Sequence, residues 1–253
     1  AAFSNCPYQY RFAHILKIPG RGKAQFSFGK TMHSALQKIF VLLEERRGFK
    51  QSNLFSENDG KNVSKKNILT MEEILKIYEE SWIDDWYENK QEKEEYRKKG
   101  KEILKNFYEK HKDNWPTAVF LEKGFNFKIR VDGELYTVRG VMDRIDEKEK
   151  KIKIVDYKTG SPKDKLTFDD KYQLLIYQLA AHNLFRQEID SLSFYYLHDN
   201  SEVEFLGNEK ELEKTEEKIA ETISAIKKGE FSPKPSVLCK FCDFFNICEF
   251  RKN

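Results

Sequence analysis

Little in this sequence marks a specialised environment. Four cysteines in 253 residues are too few for a secreted scaffold held by disulfides at that size. Six prolines and twelve glycines leave no low-complexity tract. With 14% aromatic residues, the composition is that of a packed domain and not of a disordered chain. An excess of one charge is missing too: 45 Lys and Arg stand against 42 Asp and Glu, a net +3. Global charge therefore gives no argument for a nucleic-acid partner, and any basic groove has to be local. No apolar run approaches the roughly 20 residues of a membrane span, and no signal-peptide pattern is present, so the reading is cytosolic. An initiator methionine is absent from "AAFSNC", as in a fragment of a longer chain. The length suits a single domain over 1–253 with a substantial insertion.

What is there changes period along the chain. A short helix is expected over "AFSNCPYQYRFAHIL", then a loop, "KIPGRGKAQFSF", then a helix from Gly29 to Gly48 with Met32, Leu36, Ile39, Phe40 and Leu43 on one stripe. The polar stretch 49–67 reads as a loop. Thr70 and Glu73 form a capping-box pattern before a helix over 71–87, and a charged helix follows at about 90–112. These helices, within 50–113, read as an insertion. From Ala118 the period becomes 2, giving strands over 118–131, 134–146 and 151–158, with "VDGE" and "DEKEKK" as turns. A helix over 167–185, two strands near 191–199 and 201–206, and a surface helix over 208–229 complete the α/β order.

The third strand carries the chemistry. Ile152, Ile154, Asp156 and Lys158 share one face by alternation. In a hairpin turning near Glu147 to Lys150, Asp143 comes to the level of Asp156. Two carboxylates at neighbouring strand ends suit Mg²⁺ or Mn²⁺, which prefer oxygen ligands and water. A cation there can neutralise a phosphoryl group while Lys158 steadies the transition state. A solvated hairpin end with surface ion pairs is the plainer account of a lone D-x-K. "AQFSFGKT" nearly spells a phosphate-binding loop, but Ala24 replaces its first glycine and no apolar strand precedes it.

The motifs "GVMDRID", "DYKTG" and "YQLLIYQLA", with "FGKTMHSALQ" ahead of them, resemble the RecB-type branch of the PD-(D/E)XK nucleases in order and spacing. The resemblance spans nearly the whole chain except the helices from about 50 to 113. It implies a restriction-endonuclease-like α/β core: a mixed central sheet flanked by helices, a helical insertion and a Cys-rich tail. It implies that His33, Asp143 and Asp156 bind the divalent metal, with the Tyr157 carbonyl a further ligand and Lys158 the catalytic lysine. Gln173 and Tyr177 match the Q-x-x-x-Y of the following helix, four residues apart and so on one face. Glu122 matches an acidic position ahead of the hairpin, where a structural ion pair is an equal reading. The motif's proline is absent: Val155 precedes the aspartate. His14, His111, His182 and His198 have no partner motif and read as structural or exposed.

Cys239, Cys242 and Cys248 crowd the C-terminus, and Cys6 stands alone near the start. Four thiolates can bind zinc or an iron–sulfur cluster; reduced, buried thiols are the plain alternative. Cluster-bearing members of the resembled branch, AddB-like and related helicase–nucleases, place one cysteine before the histidine helix and three after the core. This likeness implies a [4Fe-4S] cluster rather than zinc, stapling the tail over 231–253 to the N-terminal helix. It further implies a DNA exonuclease acting on single-stranded or double-stranded ends, joined to a UvrD-like helicase in repair or recombination. The rivals are a catalytically silent DNA-binding module and a zinc-ribbon interaction domain.

Overall fold

The computed structural model describes residues 2–48, 69–163 and 165–252; the loop expected over 49–67 lies outside them. Two short helices, α1 (Ala2–Asn5) and α2 (Pro7–Tyr10), run into a π-helical turn over Arg11–Ile15. Then come α3 (Ala24–Arg46), α4 (Met71–Glu80), α5 (Lys90–His111), β1 (Ala118–Val131), β2 (Glu134–Lys148), β3 (Lys151–Lys158), α6 (Phe168–Leu184), β4 (Glu188–Tyr196), β5 (Ser201–Phe205) and α7 (Glu209–Lys227). Two 3₁₀ turns, Val237–Phe241 and Phe245–Ile247, carry the tail. The chain divides into two compact units: Lys23–Phe127 with Arg139–Glu211, and Ala1–Gly22 with Lys128–Val138 and Leu212–Asn253.

The sheet has the order β1-β2-β3-β4-β5. β2 and β3 are antiparallel, β3 and β4 parallel, and β4 and β5 antiparallel. A parallel neighbour needs a crossover, which α6 supplies. Both tight turns carry positive φ at their two central residues, Asp132 and Gly133 in one, Glu149 and Lys150 in the other. That is the primed geometry whose twist matches the strands. Asp-Gly announces the first turn; Glu-Lys gives no such signal, so β2 runs two residues further than the sequence pattern suggested.

Alternation on the sheet sorts two cores in the larger unit. Val155, Tyr157, Tyr195 and Leu197 pack with Met32, Leu36, Ile39, Phe40 and Leu43 of α3 and with Ile74, Tyr78, Ile103, Leu104 and Phe107 of α4 and α5. The opposite set, Ile152, Ile154, Leu192, Phe194 and Tyr196, packs on Leu174, Tyr177, Ala180 and Ala181 of α6. The helices read as an insertion thus help build the core on the α3 face.

Two helix limits differ from the sequence reading. α3 starts at Ala24, because buried Ala24, Ser27, Phe28 and Thr31 continue its inward stripe backwards. The near-match to a phosphate loop therefore lies within this helix. α4 ends at Glu80 instead of running to 87. Thr70 and Glu73 do form its capping box, but past Ser81 the Ile83 N–H donates to Thr31 Oγ1 at 3.0 Å, and Ser27 Oγ donates to the Asp85 carbonyl at 2.6 Å. Buried hydroxyls of α3 thus take backbone groups that a longer helix would use itself. Among the described residues, no helix is long and apolar enough to cross a membrane.

Candidate active site

Strand register brings the two aspartates together. Arg144 pairs with Val155, so one step further along the ladder lie Asp143, inside β2, and Asp156, near the end of β3. The Tyr157 N–H donates to Asp143 Oδ2 at 2.8 Å. From α3, His33 places Nδ1 3.4 Å from Asp143 Oδ2 and Nε2 3.1 Å from the Tyr157 carbonyl oxygen. Glu122 arrives from the middle of β1 through a left-handed residue, φ 46°. A non-glycine residue seldom adopts that conformation inside a strand, and the resulting kink re-aims its side chain. One ligand atom each from His33, Glu122 and Asp143 lie within 4.8 Å of one another.

Asp156 faces the other way along this cleft, towards α6. Its Oδ2 meets Lys158 Nζ at 2.7 Å, an ion pair without directed hydrogen-bond geometry. Its Oδ1 accepts from Gln173 Nε2 at 2.7 Å and, at 3.4 Å, from the Tyr177 hydroxyl. Gln173 also accepts from Lys158 at 2.8 Å through Oε1 and donates to the Tyr177 oxygen at 2.8 Å. Gln173 and Tyr177 of α6 thus meet Asp156, and Gln173 meets Lys158 as well. Phe125 packs edge-on against the Tyr177 ring. A Cβ at Gly140 would lie 2.6 Å from the Phe125 ring, so glycine is what lets that ring sit there.

Electrostatics here favour a bound cation. Burial raises the Asp156 carboxyl, Lys158 opposes the shift, and the Asp143 charge adds to it. Burial and the Asp143 charge likewise raise Glu122. Burial pulls His33 down, but its hydrogen bond to Asp143 and the charges of Asp143, Asp156 and Glu122 outweigh that and leave it raised. The charge of Asp143 thus disfavours ionisation of both Asp156 and Glu122. A histidine nitrogen, carboxylate oxygens and a carbonyl fit a hard divalent ion such as Mg²⁺ or Mn²⁺.

A family model described as the PD-(D/E)XK nuclease superfamily matches residues 1–249. The chain belongs to the PD-(D/E)XK nuclease superfamily. Its five-stranded mixed sheet flanked by helices is consistent with the PD-(D/E)XK core, and nucleases of this superfamily use divalent metals. No curated protein matches this sequence. Among solved structures, the chain is similar to SSO0001 (20% identity, TM-score 0.40, covering 64% of this chain and 81% of that one). It is also similar to a candidate exonuclease from Eubacterium rectale (12% identity, TM-score 0.45, covering 98% and 83%).

In the smaller unit of this superfamily member, Cys6, Cys239, Cys242 and Cys248 line one cavity of about 210 Å³, with Phe12 and Phe244 on its walls. None of the four is in a disulfide. The Lys234 N–H donates to Cys6 Sγ at 3.4 Å and the Ser236 N–H to Cys239 Sγ at 3.3 Å. Backbone donors from Lys252 and Ser236 lower the Cys239 thiol, whereas burial raises Cys242.

Sequence reasoning passed over Arg144. It is buried, places Nε 2.8 Å from Asp146 Oδ1, hydrogen-bonds the Tyr157 hydroxyl, and lies over the Phe40 and Tyr157 rings at 4.6 and 5.3 Å. A signal existed: alternation from the strand end sets a guanidinium at an inward position, and buried charges occur paired.

Proposed function

We propose that this protein is a divalent-metal-dependent DNA nuclease that hydrolyses phosphodiester bonds. The observation that carries the reading is the convergence of His33, Glu122 and Asp143, from α3, β1 and β2, beside the Asp156–Lys158 pair of β3. His33, Glu122 and Asp143, with Asp156 and the Tyr157 carbonyl, would hold the cation. The chemistry supplied by such an ion is Lewis-acid polarisation of the phosphate and acidification of an attacking water. Lys158 would donate to the phosphoryl oxygen on which charge develops. Gln173, bridging Lys158 and Asp156, would keep the ammonium aimed into the cleft, and Tyr177 would fix the Gln173 amide.

In the same reading the four cysteines hold a [4Fe-4S] cluster with a structural role. A tetrahedral zinc with bonds of about 2.3 Å needs its sulfurs roughly 3.8 Å apart. Among the described residues, the ligand atoms that group within 4.8 Å are those of His33, Glu122 and Asp143, and the cysteine sulfurs form no such group. All four line one cavity, and the choice of a cubane over zinc rests on the resemblance to cluster-bearing members of the RecB-type branch. The backbone N–H donors to Cys6 and Cys239 suit anionic sulfur. An exonuclease mode, repair or recombination as the setting, and a helicase in the same polypeptide or complex rest on the resemblance of the motifs to RecB-type helicase–nucleases.

The decisive assay follows end-labelled single- and double-stranded DNA with Mg²⁺, with Mn²⁺ and with EDTA. Metal-dependent cleavage lost in Asp156→Ala and Glu122→Gln is the expected result. No cleavage of either substrate with either metal would leave only a binding module.

A further inference from the structure

We propose that Trp86 and Phe26, with Lys30, form a subsite that stacks an unpaired nucleobase of the strand beside the metal-binding cluster. The two aromatic residues line one groove of about 610 Å³ together with Lys30, His33 and Glu122, a volume within the range of ligand sites. The groove thus opens directly onto the residues placed at the cleavage site.

Three observations set Trp86 apart from an incidental surface tryptophan. It is 47% exposed and Phe26 is 50% exposed, so two large apolar faces meet solvent where the strand would pass. Its backbone is left-handed, φ 65°, which is a strained state for a bulky residue and is kept only where the surroundings enforce it. The surroundings do enforce it. The segment carrying Trp86 is pinned to α3 by Thr31 Oγ1 on Ile83 and by Ser27 Oγ on Asp85, and both hydroxyl residues are fully buried. The indole is therefore presented on a rigid support, so little entropy is lost when something stacks on it.

Charge on the groove matches a nucleic-acid strand. Lys30 Nζ lies 5.2 Å from the centre of the Trp86 ring, and Lys23 Nζ lies 5.9 Å from that of Phe26. No carboxylate pairs with Lys30 among the described residues, while Asp84 on the pinned segment is paired by Lys93 at 3.1 Å. An aromatic face beside an ammonium is the combination that holds a base and its phosphate without reading sequence. A base inside a duplex has both faces covered by its neighbours, so the subsite takes an unpaired nucleotide. Trp86 lies in the segment between α4 and α5, so the site depends on the region that interrupts the recognised motifs.

The test is fluorescence titration of the full chain with single-stranded oligothymidylate in EDTA, where binding is read without cleavage. The expected result is quenching of tryptophan emission and a Kd about ten-fold weaker for Trp86→Ala, the loss of one stacked base. Trp86→Tyr keeps most of the affinity, and Phe26→Ala and Lys30→Ala give smaller losses of the same sign. On the wild-type protein, a strand of abasic residues binds at least as weakly as oligothymidylate binds Trp86→Ala, a comparison that no folding defect can imitate. Equal affinity of wild type and Trp86→Ala, or of the abasic and thymidylate strands, would overturn the subsite. The inference rests on the nuclease reading, yet the two fail separately. Cleavage with Mn²⁺ and binding indifferent to Trp86 removes the subsite and leaves the nuclease. Trp86-dependent binding without any cleavage removes the nuclease and leaves the subsite.

Discussion

Arg144→Ala should be among the most destabilising single changes in this protein. The guanidinium is 2% exposed: Nη2 donates to Asp146 Oδ2, Nε lies 2.8 Å from Asp146 Oδ1 as an ion pair, Nη1 donates to the Tyr157 hydroxyl, and its plane lies over Phe40 and Tyr157. Truncation strands the Asp146 carboxylate, whose pKa burial already raises against the pull of Arg144. Breaking one side of a buried pair costs about 3–5 kcal/mol. Lys153 also lowers Asp146 and would relieve part of the loss, so about 3 kcal/mol is expected. Replacing both partners, as in Arg144→Met with Asp146→Leu, leaves no stranded charge and should cost clearly less than either Arg144→Ala or Asp146→Ala alone. Urea unfolding followed by circular dichroism, with the midpoint compared at unchanged slope, measures these three variants against the wild type. Losses under about 1 kcal/mol for Arg144→Ala, or additive losses in the double variant, would refute the buried-pair account.

Lys158→Ala should keep the fold and the affinity for Mn²⁺ while cleavage falls on the order of 100-fold, by analogy with removal of one transition-state donor; unchanged turnover assigns Lys158 to a passive ion pair. Cys6→Ser should lower the melting temperature and the iron and sulfide content of anaerobically purified protein while Mn²⁺ binding by the His33 cluster persists; a colourless wild type releasing zinc to a chelator would replace the cluster with zinc. His111 tests pH dependence. Burial, then the charges of Arg144 and Lys110, push it down to about 4, so it stays neutral when folded and gains a proton near 6.5 when unfolded. Its contribution is complete above 6.5 and is lost as pH falls towards 4, on the order of 2 kcal/mol after discounting for partial exposure; His111→Phe should flatten that part of the stability curve.

The hairpin residues were legible because their positions follow from a period of 2. Asp143 and Asp156 could be set at one level of the hairpin once the turn between β2 and β3 was recognised, even though Glu149 and Lys150 are poor markers of its type; but Asp143 lies inside β2, which runs from Glu134 to Lys148, and not at a strand end as expected. His33 and Cys6 were readable only through motif context, since neither helix periodicity nor spacing says what a lone histidine or cysteine will meet. Glu122 was the least legible of the predicted residues. Its place beside His33 depends on a left-handed kink inside β1, and Leu121-Glu122-Lys123 carries no glycine to announce one. The start of α3 was hidden differently. Ser27 and Thr31 occupy inward positions of its stripe, and their hydroxyls read as polar until they are seen to serve Asp85 and Ile83. That tertiary use also ends α4 early, which no local propensity of residues 81–87 reveals.

Tyr157 explains why the stability of the core and the geometry of the cleft are one problem. Its side chain points into the α3 core and hydrogen-bonds Arg144. Its backbone N–H holds Asp143 Oδ2, and its carbonyl meets His33 Nε2. One residue therefore sets the depth of β3 against α3 and the spacing of two expected metal ligands. A strand peptide is a stiffer support than a side chain, because its plane and its neighbours in the ladder fix it. The sequence "VDYK" reads, on this account, as alternating duties: Val155 and Tyr157 fasten the strand to the α3 core, while Asp156 and Lys158 face Gln173 and Tyr177 of α6. A substitution such as Tyr157→Phe separates the two duties. It leaves the backbone donors and the ring in place while removing the hydroxyl that Arg144 uses. It should therefore lower stability by about 1.5–3 kcal/mol, the value of a hydrogen bond to a charged group, and leave metal-dependent cleavage at saturating metal nearly unchanged. A loss of cleavage larger than the loss of folded protein would mean that the hydroxyl, and not the peptide, positions the site.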